Sequence, residues 1–102
     1  MEIHHPLSVY RGQAVSASLT AQNTFTAPLK VLGDANVWIS GTWTGTLTLQ
    51  ASYDNGATWL DVQTYTANGI DILYEPEVGI SCRIGFKTGQ YTSGTAVVRI
   101  SQ

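Results

Sequence analysis

The chain has 102 residues, a net charge of −2 and 12 % charged residues, about half the usual ~25 %. Such a chain is one domain with a modest core of its own. It offers no basic stripe for phosphates, no polybasic membrane anchor and no run near the ~20 apolar residues of a membrane span.

Thirteen Thr and eight Ser take the place of charge, giving a polar but uncharged β-rich surface. The N-terminus lacks the basic-then-apolar layout of a signal peptide, so export by the usual route is not expected. A single cysteine, Cys82, excludes an internal disulfide and fits a chain made in a reducing cytoplasm.

In chain order, residues 1–12 form an extended arm. They show no periodicity, and Pro6 disfavours both helix and central strand. Ile3, Leu7, Val9 and Tyr10 are too apolar for a purely solvated tail, and contact with a neighbouring protein is the expected use. Residues 13–102 form one β-domain. Residues 13–20 alternate, with Val15, Ala17 and Leu19 on one face. Residues 23–26 and 29–32 predict two short strands around Pro28, and Gly33-Asp34 a turn.

Residues 35–43 predict a strand with Val37, Ile39 and Trp43 on one face and Trp38 on the other. Trp38 is thereby placed at the surface or at an interface. A new strand is expected over residues 44–51, and another over 60–66. Between them Asn55-Gly56 gives the strongest short-range hairpin signal. Asn55 tolerates the positive φ that such a turn needs, and Gly56 carries no steric cost there. Asp54 is placed to accept hydrogen bonds from turn N–H groups, with Ser52 adding another.

After a turn at residues 67–69 come a strand over 70–74 and a connection over 75–79. A strand follows in which Ile80, Cys82, Ile84 and Phe86 share a face, making Cys82 a buried, inert thiol. A loop is expected over residues 88–94 and a closing strand over 95–101. No window carries helical periodicity. Strands at such spacing with Gly-rich turns predict an all-β antiparallel sandwich, jelly-roll-like, with an immunoglobulin-like strand order as the alternative.

Chemistry is sparse. His4 and His5 are adjacent in an extended arm and point to opposite sides, a poor chelate. No nucleophile–base–orienter set and no converging carboxylates emerge, so neither catalysis, a cofactor nor a metal site is expected.

The octet Ser52-Tyr53-Asp54-Asn55-Gly56-Ala57-Thr58-Trp59 matches the Ser-x-Asp-x-Gly-x-Thr-Trp pattern of an Asp-box. This motif resembles the structural hairpin clip of sialidases and other β-proteins, in which the aromatic residue packs under the turn. The resemblance assigns Ser52, Asp54, Gly56 and Trp59 a structural role. Gly45-Thr46-Leu47-Thr48-Leu49-Gln50 leads into that octet. Together with Glu75-Pro76-Glu77 and Tyr91-Thr92-Ser93-Gly94-Thr95 leading into Arg99-Ile100-Ser101-Gln102, it resembles small structural proteins of tailed-bacteriophage virions. The likeness spans residues 41–102.

Such proteins are similar in size and fold to capsid decoration, or cement, proteins, which are usually trimers or dimers that clamp neighbouring capsomers. The resemblance implies a non-enzymatic oligomer made in the host bacterial cytoplasm and placed on the virion surface. Its partners would be the major capsid protein and its own copies, with Ile3, Leu7, Val9, Tyr10 and Trp38 at the contacts. A carbohydrate-binding module or a tail or neck accessory module is the alternative, since exposed aromatics also suit a sugar platform.

Overall fold

The computed structural model describes residues 13–74, 77 and 79–102. The proposed arm, with Ile3, Leu7, Val9 and Tyr10, lies outside the described residues, as do His4, His5, Glu75 and Pro76. The described residues contain no helix. They form seven strands: β1 (Ala14–Leu19), β2 (Thr24–Phe25), β3 (Leu29–Val31), β4 (Ala35–Ser52), β5 (Leu60–Tyr65), β6 (Gly69–Leu73) and β7 (Ile80–Ser101). All pair antiparallel in one sheet. The all-β antiparallel expectation holds.

Two long strands carry everything else. β4 and β7 run side by side from Asn36↔Ser101 to Ser52↔Ser81. At one end β1 flanks β7 and β6 flanks β4. At the other, β2 and β3 flank β7 and β5 flanks β4. Hydrogen bonding therefore draws one continuous sheet with two halves. It does not draw the separate stacked sheets of a jelly roll or an immunoglobulin-like order, because β4 and β7 pass through both halves.

Two breaks expected from the sequence are absent from the sheet. The strand over residues 35–43 does not end before residue 44, and residues 88–94 are not a free loop. Both segments stay within β4 and β7. Glycines bend the ladder instead of ending it. Gly41, Gly45, Gly89 and Gly94 have φ of 96°, 146°, 80° and 86°, a region costly for residues with a Cβ. Between the pairs Gly45↔Tyr91 and Leu47↔Phe86, residues 87–90 of β7 face only Thr46. This excess of chain on one strand is bulge geometry, which increases local bending.

Alternation places the core. Odd-numbered residues of β4 (Val37, Ile39, Leu47, Leu49) and even-numbered residues of β7 (Ile84, Phe86, Val98, Ile100) are buried in one apolar cluster. Leu19, Leu29, Val31 and Leu73 join it from the flanking strands. Cys82 is fully buried there, as expected. At the bend, Phe86 meets Trp43 and Tyr91 edge-on, with ring centroids 5.8 and 5.1 Å apart. Edge-to-face contacts of this kind add to plain area burial.

Candidate functional site

The Asp-box loop connects β4 to β5. Asn55 and Gly56 have φ of 61° and 93°, the two positive values that the Asn-Gly signal requires. The Ser52 hydroxyl donates to Asp54 Oδ1 (2.8 Å) and accepts from the Gly56 N–H (2.7 Å). Asp54 Oδ1 also accepts from the Thr58 N–H (2.8 Å). Ser52, Asp54 and Gly56 are thus joined by local bonds, one between side chains and two from backbone N–H groups to side chains. The Thr58 N–H, followed by the Ser52 hydroxyl, holds the Asp54 carboxyl below its ordinary value.

A depressed folded value means that Asp54 contributes stability above the ordinary carboxylate range and loses it as the pH falls through the lower folded value. Asp61 is depressed in the same sense, first by Lys87 and then by Gln50. The urea midpoint is therefore expected to fall as the pH is lowered from about 6 to about 2. Asp54→Asn should flatten part of that fall. An acid limb identical in both proteins would show that the turn carboxylate is energetically silent.

The Trp59 ring lies close to Gly56, 3.8 Å from where a Cβ on that glycine would stand. Its ring also reaches the solvent-facing side of the sheet, where the Arg83 guanidinium carbon lies 4.2 Å from its centroid. Phe25 holds the same guanidinium at 4.1 Å. The two rings approach from opposite sides of β7, Phe25 from β2 and Trp59 from the β4–β5 loop. Arg83 Nε donates to Gln50 Oε1 (2.8 Å), and Gln50 Nε2 donates to Asp61 Oδ1 (2.9 Å). Asp61 Oδ2 pairs with Lys87 Nζ at 2.7 Å. This layer covers the polar side of the sheet so well that Thr48, Gln50 and Ser52 are buried. Burial holds the Arg83 guanidinium below the ordinary arginine value.

Sequence reading singled out Trp59 but not its partners. Phe25, Gln50, Asp61 and Arg83 come from four strands and share no local motif. The available signal was parity, because Arg83 alternates out of phase with the buried Cys82 and Ile84.

The other half of the sheet presents a different surface. Trp38, 45 % exposed, faces away from the core and lies opposite Ile70 of β6 and Arg99 of β7. Ile70 is 76 % exposed, and Ile72 and Tyr74 follow it with 45 % and 72 % exposure. Tyr53, Leu60 and Val62 are exposed around the β4–β5 hairpin, while these four large apolar residues gather at the β4–β6 edge.

Beside them is a cleft of about 150 Å³ lined by Ile39, Tyr65, Asn68, Ile70 and Asp71 among others. Its polar groups are engaged with their neighbours. Tyr65 donates its hydroxyl to Asp71 Oδ2 (2.8 Å), while Asn68 accepts from the Trp43 indole (2.7 Å) and donates to the Gly41 carbonyl (2.9 Å). Burial first, and then that bond to Asp71, push the Tyr65 hydroxyl well above the ordinary tyrosine range.

Among the described residues no group of three or more His, Cys, Asp or Glu is placed to hold a metal ion, and no helix is long and apolar enough to cross a membrane. No known protein family, curated protein or solved structure matches this chain.

Proposed function

We propose that the protein is a structural, non-catalytic component of a tailed-phage virion that decorates or cements the capsid as an oligomer, bridging neighbouring major capsid proteins. The observation that carries the docking part of this reading is the outward pair Trp38–Ile70, continued by Ile72 and Tyr74. A patch of large apolar side chains on the surface of a small domain is a common mark of a protein contact surface. Aromatic anchors at the centre of such patches carry most of an interface's affinity. The virion assignment itself rests on the sequence resemblance over residues 41–102. Many copies on a symmetric shell would multiply a weak contact through avidity.

The test is attachment to undecorated shells of the cognate phage, measured by co-sedimentation. Trp38→Ser combined with Ile70→Ser is expected to weaken attachment at least about tenfold, since interface anchors cost about 2 kcal/mol or more when truncated. Deletion of residues 1–12 should weaken it as well if the arm reaches a neighbour. Wild-type attachment by the double variant would remove this face from the mechanism, and no attachment by the wild type would remove the capsid reading.

The carbohydrate reading has one supporting observation, the exposed Trp38, which lies opposite Ile70 of the small cleft. It is the weaker of the two, because the cleft's tyrosine, asparagine and aspartate already bond within the domain. Saturable binding on a glycan array would reverse that ranking.

A further inference from the structure

We infer that Arg83 is a preformed binding site for a carboxylate group, presented on the solvent-facing side of the β2–β7–β4 region. Arginine normally loses side-chain freedom when it captures an anion, and that loss offsets part of the gain. Here the freedom is already spent. Phe25 and Trp59 hold the guanidinium between them, and Gln50 Oε1 fixes its Nε edge. Gln50 is itself oriented by Asp61, and Asp61 by Lys87.

The remaining edge, with Nη1 and Nη2, makes no hydrogen bond to the described residues. Arg83 itself is only partly buried. The one nearby acid in this network, Asp61, is directed to Lys87 and Gln50 and does not fill the fork.

Two parallel N–H donors on a planar, permanently charged group match the two oxygens of a carboxylate. The two rings, with centroids 4.1 and 4.2 Å from the guanidinium carbon, lower the local polarity, which strengthens a charge-assisted bond made at its open edge. The ligand is therefore a carboxylate, either the side chain of Asp or Glu on a partner protein or a small free acid. The site does not depend on the virion reading, since any acidic partner would use it.

The experiment follows the Arg83 side-chain N–H resonances and the Trp59 indole resonance of the isotope-labelled full chain. Three titrants are compared at matched ionic strength: sodium acetate, sodium chloride and a terminally blocked Gly-Glu-Gly peptide. Acetate is expected to give a saturating shift at Arg83, with a midpoint of roughly 5–100 mM, the range that charge-assisted hydrogen bonds to one fork allow. Chloride should give none. Tighter binding of the peptide assigns a protein carboxylate, and saturation by acetate alone assigns a small acid.

R83K keeps the charge but removes the fork and should abolish the curvature. If that variant does not fold, the wild-type comparison of acetate with chloride decides alone. Equal responses to the two salts, or a saturating shift that persists in folded R83K, would overturn the assignment.

Discussion

Phe86→Ala is expected to cost about 4 kcal/mol of folding stability, in the range found for buried phenylalanine truncations. Phe86 is fully buried, and its ring touches Trp43 and Tyr91 where β4 and β7 change register. The truncation removes both the transfer gain and the edge-on ring contacts. The bend would not collapse to fill the void, because Gly45 already packs closely against the Gln90 carbonyl and lies 3.1 Å, measured from an added Cβ, from the Phe86 ring. A domain of this size has roughly 5–15 kcal/mol in total. The variant should therefore show a large drop in urea midpoint and a weakened near-ultraviolet signal from Trp43. A loss below about 1.5 kcal/mol would mean that the bend repacks and that the aromatic cluster is not its keystone.

Gly85→Ala should be nearly as damaging, at about 3 kcal/mol, although it adds only one methyl group. The cause is space, not backbone conformation, since Gly85 has no positive φ. Phe25 lies across Gly85, and an added Cβ would sit 2.6 Å from Phe25 Cα and 2.7 Å from its ring, as well as against the Thr24 carbonyl. Most of those atoms are backbone and cannot swing aside. β2 has only two residues paired to β7, so it is the element that must lift away. Lifting it would also take the Phe25 ring away from the Arg83 guanidinium. The expected signature is therefore a stability loss together with a change in Trp59 fluorescence. An alanine variant with wild-type stability and emission would show that β2 is not held at this distance.

Much of the strand pattern was legible because alternation depends only on neighbouring residues. Val15, Ala17 and Leu19, or Ile80, Cys82, Ile84 and Phe86, announce a buried face without knowledge of the partner strand. The Asp-box was legible for the same reason, since Ser52, Asp54 and Gly56 bond within five residues of one another. Glycine was misread where it bends a paired strand. Gly41, Gly45, Gly89 and Gly94 carry the same local signal as a loop, and only the partner strand keeps those segments in register. The Arg83 clamp was out of reach for a stronger reason. Phe25 and Trp59 lie 58 and 24 residues from it in sequence, and they meet only because β2 and the β4–β5 loop flank opposite sides of β7.

The dominance of β7 also governs how a nascent chain can mature on the ribosome. β7 is synthesised after the other six described strands, yet β1, β2, β3 and β4 all pair with it. Only β5 and β6 can settle earlier, on β4. Rung separations grow from 29 residues between Ser52 and Ser81 to 87 between Ala14 and Ser101, and chain-closure entropy grows with them. Closure is cheapest at the Ser52 end, so zipping should start there and seat β1 last. A polypeptide cut short inside β7 would keep β1, β2 and β3 unpaired and sticky, which makes β7 the gate to a folded product.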